Sequence, residues 1–279
     1  MIGFERKIES LELIVYKEDC LYTKNSQIFK SILATFVQVG KPSFFHDSLY
    51  IYSKGCYIFK NKISDYTIKC DTTEKNWVFK LINLFEYWCA QKMNCTVLHG
   101  CFVKYDNLNL LLLGKRKSGK STMLKYFLDF EYSKYLDEDC VYLVNRKFYG
   151  FCLPVSMRSD MSPNNVERIC TFDDENSYRY LYCYSSLKHI TCSEKIDFIV
   201  FPEYFLAQEN IQVNKILPTS TFELLLNNVR NSKNVYELYK DLREIAKTVP
   251  AYKMVYNNSQ HVVDFFKNIR LEYINEKNS

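Results

Sequence analysis

The chain has 279 residues, a formal net charge of +5, 47% hydrophobic and 25% charged residues, which is the composition of an ordinary globular protein with length for one large domain or two modest ones. The positive charge is too small and too dispersed to argue for nucleic acid, and it suits a nucleotide or an acidic partner. Eleven cysteines are scattered without a C-x-x-C pair, and no signal-peptide pattern or membrane-length apolar run accompanies them, so they are expected as reduced core residues of a cytoplasmic protein.

Aromatic residues reach 16%, with 23 Tyr and 20 Phe, which predicts many strand positions and aromatic cores. Residues 1–95 read as a small N-terminal α+β module. Leu11–Tyr16 is a predicted strand, and Ser48–Tyr52 and Cys56–Phe59 flank Ser53-Lys54-Gly55 as a hairpin. Asp71-Thr72-Thr73 is positioned to cap a helix in which Trp77, Leu81, Leu84, Phe85 and Trp88 recur near the helical period.

Residues 96–279 form a second predicted unit. Thr96–Tyr105 and the apolar run Leu108–Leu113 are predicted strands, and Met123, Leu124, Phe127 and Leu128 supply the apolar face of a helix. Tyr135-Leu136 leads through Asp137-Glu138-Asp139 into a strand at Cys140–Val144, with further strands at Phe151–Pro154 and Ile196–Pro202. Beyond Pro218, Thr219-Ser220 is expected to cap a helix to about Asn231. A second helix follows over about Val235–Lys247, then a strand at Pro250–Tyr256 and a closing helix from Gln260 to Ile269.

Between the Leu108–Leu113 strand and the helix after it lies Gly114-Lys115-Arg116-Lys117-Ser118-Gly119-Lys120-Ser121-Thr122, a G-x-x-x-x-G-K-[ST] loop in strand–loop–helix context. In such a loop successive backbone N–H groups converge on an anion, and the helix adds its positive end. Lys120 is expected on the β- and γ-phosphates and Ser121 on Mg²⁺, with Gly114, Lys117, Ser118, Gly119 and Thr122 lining the loop. Turnover also requires carboxylates. In an extended segment Asp137 and Asp139 share a face and Glu138 takes the other. If the chain turns there, Glu138 and Asp139 both reach the phosphates, and a solvated acidic turn is the plain alternative. His99, at one end of the strand expected beside the loop strand, reads as a structural histidine or a site residue. Arg158 reads as a substrate clamp or a surface arginine.

Leu98-His99-Gly100, the Gly114–Ser121 loop and Leu136-Asp137-Glu138-Asp139 together resemble the HPr kinase/phosphorylase family. The catalytic domain of that family is similar to the ATP-binding part of phosphoenolpyruvate carboxykinase. Ile196–Phe201, Leu217-Pro218, the helix to Val229 and Val249–Tyr252 resemble HPr-kinase-like proteins encoded beside modified-peptide pathways. The resemblance covers roughly residues 96–270. It implies an α/β (α+β) fold with a P-loop core, mixed sheet and flanking helices, and an ATP- and Mg²⁺-dependent kinase acting on a Ser or other hydroxyl of a peptide or protein. Carried over by position, Lys120 and Ser121 serve phosphate and metal, Glu138 and Asp139 replace paired aspartates (one nearer the metal, assigned to Asp139 with Ser121, and one the base), and His99 sits by the transferred phosphoryl group. Glu138 stands where the family has Asp, Lys117 where it often has Gly, and no Glu-x-Arg-Gly segment is present, which argues against phosphorolysis. The alternatives are a sugar or nucleoside kinase and a non-catalytic nucleotide-binding partner protein.

Overall fold

The computed structural model describes residues 95–278 apart from 131, 151–154, 158–166, 175–176, 185–189, 191, 194 and 233, together with the backbone of five strands between residues 6 and 69. Those five, β1 (Arg6–Ile8), β2 (Leu11–Tyr16), β3 (Asp47–Tyr52), β4 (Cys56–Lys60) and β5 (Asp65–Lys69), form one sheet in sequence order. β2 and β3 are parallel, and β3 and β4 pair antiparallel with Ser48 opposite Lys60, as the hairpin reading requires. The predicted helix after Asp71, the Phe151–Pro154 strand and Arg158 lie outside the described residues.

The remaining chain is a mixed α/β fold built around β6 (Thr96–Tyr105). This strand changes neighbours along its length. Its last six residues pair antiparallel with β7 (Leu108–Leu113), and Phe102–Lys104 also pair with β8 (Lys134–Asp137). Its first four pair with β9 (Cys140–Val144), and Thr96–Leu98 with the late strand β17 (Val229–Ser232). His99 and Gly100 therefore stand where the ends of several elements meet. A ten-stranded mixed sheet results, whose main path also holds β10 (Lys147–Tyr149), β14 (Cys192–Ser193), β15 (Phe198–Tyr204), β16 (Gln212–Ile216) and β18 (Ala251–Tyr256). Three further strands, β11 (Val155–Met157), β12 (Glu167–Asp174) and β13 (Ser177–Cys183), make a small antiparallel sheet. Nothing in the sequence reading anticipated β12 and β13.

Among the described residues four helices flank the large sheet: α1 (Lys120–Leu128), α2 (Pro218–Asn227), α3 (Val235–Thr248) and α4 (Ser259–Asn278). The unbroken apolar run of β7 has its cause here, since a strand covered on both faces has no polar side to show. Leu110 and Leu112 pack with Met123 and Phe127 of α1 and Phe266 of α4. Leu111 and Leu113 pack with Leu225 of α2 and Leu242 and Ile245 of α3. In α3, Leu238, Leu242, Ile245 and Ala246 recur on one face and are buried, and Asn234 caps the helix by accepting from the N–H groups of Tyr236 and Glu237 at 3.1 and 3.2 Å. Many of the aromatic residues are core: Tyr135, Tyr142, Tyr182, Tyr256, Phe102, Phe127 and Phe266 are fully buried.

Several predicted boundaries move. Thr219 and Ser220 lie inside α2 rather than capping it. Pro218 occupies the first turn behind Leu217, and its fixed φ starts the helix without a side-chain cap. The helix ends at Asn227 rather than near Asn231, because Val229–Ser232 pair with β6 and extended pairing there replaces the last helical turn. The closing helix is longer than expected, Ser259–Asn278.

Candidate phosphate and carboxylate site

β7 ends at Leu113, and the chain passes through residues 114–119 directly into α1. Gly119 is the helix N-cap at φ 100°, so it contributes no capping side chain to the first-turn N–H groups. A Cβ at this position would stand 2.8 Å from Tyr204 Cβ and 3.0 Å from Tyr256 Oη, which leaves room only for glycine. Lys117 also has a positive φ, 71°, a left-handed setting that strains a residue other than glycine. Lys120 is buried and folds back over the loop, its ammonium donating to Gly114 O at 2.8 Å and Lys115 O at 3.1 Å. Ser118 Oγ is buried without a hydrogen-bond partner. An uncapped helix start, an orphaned hydroxyl and a buried ammonium in one loop are the donor set a phosphate chain satisfies.

The acidic run splits in three directions. β8 and β6 slip register between Phe102 and Val103, where Asp137 faces Phe102 and Tyr135 faces Val103. Asp137 is fully buried and turns back to accept the N–H of Glu138 at 2.8 Å. Glu138, also buried, accepts a hydrogen bond from the Ser121 hydroxyl on Oε1 and one from the Ser156 N–H on Oε2 at 3.3 Å. Asp139 takes neither of those partners. It meets His99 Nε2 at 3.1 Å on one oxygen and Arg230 at 2.7 Å on the other. The strand alternation considered for this run does not occur, because the chain bends at Glu138-Asp139 between β8 and β9. The sequence reading paired Ser121 with Asp139 at a metal, whereas the carboxylate that Ser121 touches is that of Glu138.

Burial works against ionising Asp139, but the hydrogen bond from His99 and the charge of Arg230 outweigh it and hold the carboxyl well below the ordinary range. Burial and the charge of Glu138 push the Cys101 thiol up, and its Sγ donates to the Glu138 carbonyl at 2.7 Å. Gly100 donates its N–H to Asp139 O at 3.2 Å, which fixes the turn against the His-Gly strand.

Two site residues escaped the sequence reading. Arg230 on β17 spans Asp139 and, at 2.9 Å, Cys140 Sγ. Asn228 accepts the Gly114 N–H at 3.1 Å on its side chain, while its carbonyl accepts the His99 N–H at 2.7 Å. One residue thus ties the start of the loop to the histidine. The helix stop at Asn227-Asn228 was the available signal, since Asn favours helix ends. Ser121 and Glu138 offer a hydroxyl and a carboxylate oxygen side by side. Among the described residues no cluster of three or more His, Cys, Asp or Glu could hold a metal. Mg²⁺ in phosphate sites takes one or two protein oxygens and fills its shell from phosphates and water, so the pair fits that ion and would not suit a metal needing a full protein cage. No described helix is long and apolar enough to cross a membrane.

No family model and no curated protein sequence matches the chain. Among solved structures it is similar to the HPr(Ser) kinase/phosphatase from Coxiella burnetii, at 9% identity and a TM-score of 0.32, over 65% of this chain and 94% of that one. A likeness at that level carries no argument about the site, whose chemistry rests on its own geometry.

Proposed function

We propose that the chain is a nucleotide-dependent phosphotransferase: an ATP- and Mg²⁺-using kinase that phosphorylates a Ser or other hydroxyl, of a peptide or protein in the first instance. One observation carries the reading. The loop hydroxyl of Ser121 meets the buried carboxylate of Glu138 at the mouth of an uncapped helix whose loop also holds Lys120. A bound Mg²⁺ would neutralise developing phosphate charge, and Ser121 and Glu138 are the residues to hold it.

Asp139 and His99 then face the acceptor. The acceptor oxygen bonds to the terminal phosphorus as the bond to the bridging oxygen breaks, the nucleoside diphosphate leaves, and the hydroxyl proton passes to the Asp139–His99 pair. A carboxylate held so firmly ionised is a weak base. Phosphoryl transfer through a loose transition state asks mainly for orientation and charge neutralisation, so a weak base is adequate. The reading divides the chain into residues 1–95 as a substrate-side or structural module and 96–279 as the nucleotide-binding part.

The test combines MgATP titration calorimetry with intact-mass detection of a phosphate added to candidate peptide acceptors. Lys120→Ala should abolish binding, and Asp139→Asn should abolish transfer while retaining binding. Absence of ATP binding by the wild type sinks the reading. A second reading, a nucleotide-binding partner that transfers nothing, is favoured by the strained Lys117 in place of glycine. Tight ATP binding with no ADP formed in the presence of every acceptor would select it.

A further inference from the structure

β7, β15 and β18 run parallel and side by side, so their C-terminal ends open on one edge of the sheet. Ligands of open α/β sheets bind in the crevice outside such ends. β15 overshoots β7: Val200 stands opposite Leu112, and the strand continues to Tyr204 beside the loop. There Tyr204 donates its N–H to Ser118 O at 2.9 Å, and the next residue, Phe205, donates its own to Tyr256 O at 2.9 Å. The chain then turns, Gln208 N–H to Phe205 O at 3.0 Å, with the Asn257 side chain donating to Leu206 O at 3.4 Å. Tyr204 packs against the Tyr256 ring, but Phe205 is 55% and Leu206 78% exposed.

Two large apolar side chains are therefore held by backbone hydrogen bonds on a turn that is bonded to the phosphate loop, and among the described residues both are exposed. A nucleotide bound by its phosphates in that loop presents one apolar flat group, its base. We propose that Phe205, with Leu206 beside it, is the platform for the nucleobase of the nucleotide whose phosphates the Gly114–Thr122 loop holds. The proposal rests on the nucleotide reading above. Stacking on an aromatic face tolerates any base, so the platform contributes affinity rather than discrimination between bases.

The experiment separates base from phosphates by comparing ATP with inorganic tripolyphosphate, both with Mg²⁺, by calorimetry on the full chain. Phe205→Ala is expected to weaken ATP about ten- to hundredfold and to leave tripolyphosphate unchanged, Phe205→Trp to retain ATP affinity, and Leu206→Ala to lie between. The proposal is overturned if Phe205→Ala leaves ATP affinity intact, including the case in which it weakens only an acceptor peptide. It is also overturned if the variant weakens both ligands equally, or if the wild type holds tripolyphosphate as tightly as ATP. A wild type that binds neither ligand overturns the phosphate-site reading, and the platform with it.

Discussion

The Ser121 hydroxyl donates to the Glu138 carboxylate across the gap between the start of α1 and the β8–β9 turn. The longer glutamate spans from there to the Ser156 N–H, a reach that aspartate lacks by one methylene. Glu138→Asp is therefore expected to cost on the order of 10²-fold in transfer rate through misplacement of about 1 Å. Glu138→Gln keeps the span and removes the charge, so it should weaken ATP in Mg²⁺ and leave ATP in EDTA unaffected. Titrations of both variants with and without the metal check this. Faster transfer by Glu138→Asp would mean that the glutamate is a defect rather than a fitted ligand.

Asp139 gives a pH-dependent signature. Its folded-state carboxyl is held below its unfolded value by His99 and Arg230. Such a group contributes stability that is fully present above the unfolded value, near pH 4, and that fades as pH falls further through the folded one. The Tm difference between wild type and Asp139→Asn, measured without nucleotide or divalent cation, should close as pH falls below about 4. A gap independent of pH would show that charge is not what the pair contributes. Arg230→Lys should recover little of the loss seen in Arg230→Ala, because one guanidinium serves both Asp139 and Cys140 and an ammonium lacks that fork.

Lys117 is exposed and sits at φ 71°. A side chain there costs roughly 1–2 kcal/mol, and glycine would return part of the gain through the freer unfolded chain. Lys117→Gly is expected to stabilise the protein by about 0.5–1 kcal/mol, read from urea unfolding. Unchanged or lower stability would mean that the lysine side chain is held by contacts that offset the strain.

Legibility in the sequence followed how local the signal was. The loop, its strand and its helix are contiguous, so Leu108–Leu113 and Lys120–Leu128 appear where the apolar pattern puts them. The Glu138-Asp139 turn was visible as an acidic run, but its division between Ser121 and Arg230 depends on a register slip against β6, which leaves no local mark. Arg230 and Asn228 reach the site only because β17 returns across 130 residues of sequence to pair with Leu98. Pairing of that kind is decided by tertiary burial rather than by local propensity. Phe205 and Leu206 lie beyond the Ile196–Pro202 strand that the sequence predicts, and nothing local marks them before β15 is seen to run past β7.

Gly100 offers a test of the junction itself. A Cβ there would lie 2.5 Å from Leu113 Cδ2 and 2.6 Å from the Leu112 carbonyl oxygen. The leucine tip can swing away, but the carbonyl belongs to the β6–β7 ladder and cannot move without parting the strands. The same residue donates to Asp139 O and follows His99, so any shift of β6 displaces the loop entrance, the histidine and the acidic turn together. Gly100→Ala is expected to cost about 1–3 kcal/mol of stability by overpacking, and to weaken nucleotide binding from outside the Gly114–Thr122 loop. Leu112→Ala, which removes core packing against Met123 and Phe127 without adding a side chain at the junction, should cost about 2–5 kcal/mol while nucleotide affinity of the folded fraction holds. Calorimetric titration of both variants below their unfolding transitions separates the two effects. Equal loss of affinity in the two would show that binding follows global stability rather than the geometry of the β6–β7 junction.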